Sequence, residues 1–163
     1  MIDKRALDHA LYARAEKHAT GQAIQTAANL LKIYFIEHAD QPKFMARILI
    51  VDDNPEMRAS LEETLTLAGH EALFASDGKQ CLLMLRHAAP DLILLDMLMP
   101  EMDGVEVLRQ LHATASPRII AMSGAKDWDV LHVAEQMGAS KILTKPFTGT
   151  ELLGAVEAVL ART

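Results

Sequence analysis

Leu92-Ile93-Leu94-Leu95 is an unbroken apolar run closed on both sides by aspartate, Asp91 and Asp96. A half-exposed strand alternates apolar and polar residues, so a run apolar throughout reads as a parallel strand covered on both faces. A chain with such a strand needs helices on either side of a sheet. Pro100 and Gly104 then mark a loop before the next helical pattern. Asp96 falls where the strand leaves the core. Alone, an aspartate there is most simply a strand terminator or helix cap. In an open α/β sheet the same place borders the crevice where ligands bind.

The surrounding sequence repeats this strand-then-helix grammar. Strands are expected at 48–51, 72–75, 92–95, 118–122 and 141–144. Helices are expected at about 55–68, 77–87, 103–112, 126–137 and 148–160. The first helix opens on Asn54-Pro55, an N-cap residue followed by proline at the first helical position, and stops at Gly69. Ser76-Asp77 reads as the cap of the second helix. Five strands alternating with five helices form a parallel sheet through right-handed crossovers. The fold class is therefore α/β, a flavodoxin-like doubly wound five-stranded parallel sheet of order 2-1-3-4-5 with helices on both faces.

Residues 1–44 have a different character and are expected to form an α-helical N-terminal extension, with the main domain at 45–163. Leu7 and Leu11, then Ile24, Ala27, Leu31, Tyr34 and Phe35, follow amphipathic helical spacing, with Gly21 a candidate break. Met45 is an alternative start, which would leave these residues outside the protein proper. The extension reads as an arm for homodimerisation or partner docking. Its His9, His18 and His38 read as surface residues, because the segment is too short for a four-helix phosphotransfer bundle.

Net charge is −6, of which residues 1–46 carry six basic against five acidic groups and residues 47–163 ten against seventeen. An acidic main domain argues against direct nucleic-acid binding. Cys81 is the one cysteine, which excludes an intrachain disulfide and fits a reducing compartment. No apolar run approaches the roughly 18 residues of a membrane span. A cytoplasmic protein is expected.

The chemistry gathers at the strand ends. The first strand is followed by Asp52 and Asp53, the third by Asp96, the fourth by Ser123 and the fifth by Lys145. In the order 2-1-3-4-5 these strands are neighbours whose carboxyl ends share one edge. Clustered carboxylates raise one another's pKa unless a cation neutralises them. Mg²⁺ suits such a set, held by Asp53 and Asp96 with Asp52 reaching it through water. Asp96 is then a candidate nucleophile toward phosphorus, since carboxylates form aspartyl-phosphate intermediates. Lys145 and Ser123 offer the charge and the hydroxyl that phosphoryl transfer needs for positioning.

Residues 46 to about 162 resemble a response-regulator receiver domain of two-component signalling. The motifs that carry the resemblance are Ile-Leu-Ile-Val-Asp-Asp-Asn at 48–54, the fourteen residues 91–104, Ser-Gly at 123–124 and Leu-Thr-Lys-Pro-Phe at 143–147. The resemblance implies that Asp96 is the phosphoacceptor, that Asp52 and Asp53 hold Mg²⁺ with the backbone carbonyl of Leu98, and that Ser123 and Lys145 contact the phosphoryl group. It implies a sensor histidine kinase or histidine phosphotransfer protein as donor, and a downstream protein target. Receivers often carry an aromatic switch three residues before the lysine, and here Ile142 stands there. A branched aliphatic is stiff and has no ring to swing inward. Leu98 and Ala125 are apolar where polar side chains could place a hydrolytic water, so a slow loss of the phosphoryl group is expected.

Four other readings compete. A Mg²⁺-dependent aspartyl-phosphate phosphatase would want its two acidic residues separated by one intervening position and an inserted cap domain, not adjacent Asp52-Asp53. A flavodoxin would want a phosphate-cradling loop where Asp-Asp-Asn-Pro stands. Gly78-Lys79 lacks the upstream glycine and following Ser or Thr of a P-loop. A phosphorylation-independent scaffold is the stronger rival in another class. With the last helix ending near residue 160, output is expected through surface contacts, Trp128 among the candidates, or through residues 1–44.

Overall fold

The computed structural model describes residues 45–111, 117–124 and 127–161. The expected arm at 1–44, its three histidines and Ala125 lie outside the described residues, and the side chain of Trp128 is likewise not described. The order of elements is β1 (Arg47–Val51), α1 (Pro55–Leu67), β2 (Glu71–Ala75), α2 (Gly78–Leu85), β3 (Leu92–Asp96), α3 (Gly104–Leu111), β4 (Arg118–Gly124), α4 (Trp128–Gln136), β5 (Lys141–Lys145) and α5 (Gly149–Leu160). The five strands form one parallel sheet of order β2-β1-β3-β4-β5.

Period-two alternation along each strand divides the core into two layers. Ile48, Ile50, Leu92, Leu94, Ile120, Met122 and Leu143 face α1 and α5, where Leu61, Leu65, Leu152 and Val156 meet them. Leu49, Val51, Ile93, Leu95, Ile119 and Ala121 face the other way, against Cys81 of α2, Val107 and Leu108 of α3, and Leu131 of α4. All of β3 is buried, as its apolar run requires. Ile142 packs partly buried in this second layer, as an ordinary strand residue does. Among the described residues no helix is long and apolar enough to cross a membrane.

Helix starts follow the local sequence. Asn54 accepts hydrogen bonds from the N–H groups of Glu56 and Met57, with Pro55 at the first position. Asp77 caps α2 through the Gln80 N–H. Thr148 and Glu151 form a reciprocal capping box at the start of α5. Helix α2 stops two residues before the expected His87, because Arg86 and His87 donate to carbonyls three residues back, a tighter turn than the α-helix.

The strands run further than their apolar runs. Backbone pairing continues through Asp96↔Met122, Ser123↔Thr144 and Gly124↔Lys145, so three polar residues belong to the ends of strands rather than to loops. Pairing depends on the backbone and is indifferent to side-chain polarity, which is why the sequence pattern ends earlier than the ladder.

The β3–α3 loop is drawn tightly against β3. Gly104 N–H donates to the Met97 carbonyl. A Cβ built at Gly104 meets the Asp96 carbonyl at 2.6 Å and the Met97 Cα at 2.7 Å, both backbone atoms that cannot yield cheaply. Gly154, exposed on α5, has nothing within 4 Å of its position. Gly104→Ala is therefore expected to lower stability by about 2–3 kcal/mol, the cost of overpacking. Gly154→Ala is expected to raise it by about 0.5–1 kcal/mol through helix propensity. Urea denaturation of the two variants checks both signs.

Candidate functional site

The carboxyl edge of the sheet collects the residues singled out above. Asp52 leaves β1 fully buried and Asp53 follows it exposed, while Asp96 ends β3 at 6% exposure. One oxygen from each of Asp52, Asp53 and Asp96 can be chosen so that all lie within 4.8 Å of one another, the one such acidic group among the described residues. A purely carboxylate donor set of this size suits a hard divalent cation.

Lys145, at the end of β5, crosses to both buried carboxylates. Its ammonium donates to Asp52 Oδ2 at 2.8 Å and to Asp96 Oδ2 at 2.7 Å. The other oxygens are held by backbone: Asp52 Oδ1 accepts from the Asn54 N–H at 2.9 Å, and Asp96 Oδ1 from the Leu98 N–H at 3.2 Å. Leu98 itself is half exposed in the β3–α3 loop. That loop is also tied to α2 by an ion pair of Lys79 with Glu101, whose φ of 66° is left-handed.

These charges pull in opposite directions. Burial pushes the Asp96 carboxyl above its ordinary range, and the neighbouring Asp52 charge adds to this; Lys145 and the Leu98 N–H oppose it without cancelling it. Burial also works against the Lys145 ammonium, but its bonds to Asp52 and Asp96 outweigh that and hold it above the usual lysine value.

Two residues enter the site that sequence reasoning did not single out. Arg58 of α1 donates from Nη1 to the Asp52 carbonyl at 2.6 Å, bracing the acidic turn from below. Its signal was its place one helical turn beyond the Asn54 cap, on the side that faces the strand end. Asp127, immediately before α4, accepts from Ser123 Oγ at 3.1 Å. Asp52, Asp53, Asp96 and Lys145 are thus brought together, whereas the 1%-exposed Ser123 hydroxyl is directed to Asp127.

The fold and site together define a doubly wound α/β domain whose carboxyl edge carries three clustered carboxylates and a lysine. The family profile of the response regulator receiver domain matches residues 48–157. The chain belongs to this family, the receiver domains of two-component signalling. It is similar to the response regulator MprA of Mycolicibacterium vanbaalenii, 40% identical over 118 residues, covering 72% of this chain and 51% of the relative. The MprA of Mycobacterium leprae is 41% identical over 118 residues, 72% of this chain and 52% of that protein. The chain thus spans about half the length of these relatives. Among solved structures, the chemotaxis response regulator CheY4 of Vibrio cholerae superposes with a TM-score of 0.66 at 30% identity, over 72% of this chain and all of CheY4. A response regulator from Chloroflexus aurantiacus gives 0.69 at 29% identity, over 73% of this chain and all of that one.

The raised Asp96 value fixes a sign. The folded protein binds that proton more tightly than the unfolded chain, so the ionised carboxylate opposes folding. The penalty is absent below the ordinary carboxyl value of 3.8 and complete above the raised one. Asp96→Asn is expected to melt higher than wild type at neutral pH, with the gain shrinking as pH falls through the raised value. Lys145→Met is expected to lose about 3 kcal/mol, because it leaves two buried carboxylates with no opposite charge beside them. Thermal unfolding across pH reads both; a destabilised Asp96→Asn at pH 7 contradicts the charge balance described.

Proposed function

We propose that the chain is a phosphorylation-dependent switch that accepts a phosphoryl group on Asp96 from a histidine kinase or a histidine phosphotransfer protein. The observation that carries this reading is the Lys145 ammonium seated on Asp96 and Asp52. It supplies positive charge where a phosphoryl group would stand. In the reaction a carboxylate oxygen of Asp96 attacks phosphorus, the bond from phosphorus to the donor imidazole nitrogen breaks, and the imidazole leaves. Lys145 stays paired with the charge as it moves from carboxylate to phosphoryl oxygens. The Ser123 hydroxyl contacts the phosphoryl group.

The acidic cluster fits Mg²⁺, with Asp53 and Asp96 as ligands, Asp52 acting through water and the Leu98 carbonyl completing the protein's share. When bound, the ion neutralises negative charge on the carboxylates and the incoming phosphoryl oxygens. The chain itself acts only on its own phosphorylation and dephosphorylation, and signals through a downstream protein target. Residues 1–44 are the proposed arm for homodimerisation or docking, and a cytoplasmic setting follows from the reducing environment that the lone Cys81 fits. With Ile142 packed as a strand residue, readout runs through groups other than an aromatic at that position.

Incubation of the full chain with Mg²⁺ and acetyl phosphate, followed by intact mass, tests the proposal. One phosphoryl adduct is expected, absent in Asp96→Asn and absent without the metal. No adduct from acetyl phosphate or from any phosphohistidine donor supports the scaffold reading instead. Exposed Leu98 leaves apolar surface beside the acceptor. Leu98→Asn is expected to speed decay of the adduct roughly fivefold, well short of the factor of about 100 for a fully positioned general base; an unchanged decay rate contradicts this role.

A further inference from the structure

We propose that Asp127 is a positioning residue that latches Ser123: its carboxylate holds the Ser123 hydroxyl toward α4 and yields it when an anionic group occupies Asp96. The inference rests on the receiver reading of Asp96 and goes beyond it by naming what the hydroxyl must leave. Ser123 lies on the same sheet face as Ala121, the face covered by α4, and is almost fully buried. Its Oγ donates to Asp127 Oδ2 at 3.1 Å. A serine hydroxyl carries one proton, so it cannot donate to Asp127 and to a phosphoryl oxygen at once. The two acceptors compete for it.

Two further features fit a latch. Asp127 occupies the N-cap position of α4 but makes no side-chain capping bond, whereas Asn54, Asp77 and Thr148 all cap their own helices. Its backbone, at φ −104° and ψ 34°, is also outside the extended conformation those three adopt. The carboxylate is therefore spent on Ser123 in place of the helix. Gly124 leaves the room for this: a Cβ there would lie 2.8 Å from Asp127 Oδ2, with no other atom nearer than 3.8 Å. Once Ser123 turns to a phosphoryl oxygen, Asp127 is free to cap the first turn of α4, where an anionic side chain is favoured. Phosphorylation is then read at the start of α4 without an aromatic at position 142.

The test is calorimetric binding of fluoroberyllate, a phosphoryl mimic, to the full chain in the presence of Mg²⁺. Asp127→Ala is expected to bind about fivefold more tightly than wild type, since one hydrogen bond no longer has to be broken. Asp127→Asn keeps an acceptor oxygen and is expected to stay within about twofold of wild type. Gly124→Ala, which displaces the carboxylate, is expected to behave as Asp127→Ala does. On a Ser123→Ala background, Asp127→Ala is expected to change nothing. Equal tightening by Asn and Ala shows an effect of charge alone and overturns the latch, as does tightening that persists without Ser123. Wild type that binds no fluoroberyllate overturns the receiver reading itself, and the latch with it. Melting curves of each variant establish that the affinities come from folded protein.

Discussion

One ammonium group holds the carboxyl edge of this sheet together. Lys145 bonds to two carboxylates that arrive on different strands, and neither is free to leave. Without it, Asp52 and Asp96 would be like charges facing each other in a buried pocket, with exposed Asp53 alongside. With it, the pocket is still poor in positive charge: one lysine against three carboxylates, one of them raised in pKa by its burial. A site in that condition suits a divalent cation and presents a carboxylate held in place. It is stabilised enough to persist and not enough to be inert. Charge imbalance and a shifted pKa of this kind concentrate where a protein does chemistry.

The topology makes the arrangement possible. Residues 52 and 145 lie far apart in sequence, and only a doubly wound order that sets β1, β3, β4 and β5 side by side brings their strand ends to one edge. The two apolar layers, one against α1 and α5 and the other against α2, α3 and α4, hold the strands in place between the helices. The tight approach of Gly104 to the Asp96 and Met97 backbone then draws the β3–α3 loop back against the end of β3. Ser123 points into the second layer's side of this edge and finds Asp127, which ties the end of β4 to the residue immediately before α4.

Much of this was legible in the sequence, because burial on both faces leaves an unmistakable apolar run and capping residues announce helix starts. The Asn54 and Asp77 caps follow from such local signals, while the strand order, and with it the grouping of Asp52, Asp53, Asp96 and Lys145, follows from the topology that five alternating units favour. The ends of β3, β4 and β5 did not, since backbone pairing outlasts the hydrophobic pattern. Nor did the partner of Ser123. A hydroxyl four residues before an aspartate at a helix start has two chemically reasonable acceptors, and only the geometry shows which it takes. Arg58 was hidden for a related reason: it binds a backbone carbonyl, which carries no sequence signature. The N-terminal arm, read from amphipathic spacing, lies outside the described residues.

An edge that sets three carboxylates against one lysine is proposed to bind one divalent ion. Calorimetric titration of the full chain with Mg²⁺ tests it most directly. The account predicts one ion bound per chain, with affinity abolished by Asp53→Asn, a change at an exposed ligand that leaves the Lys145 bridge intact. Binding that Asp53→Asn does not alter, or no binding at millimolar Mg²⁺, would contradict it.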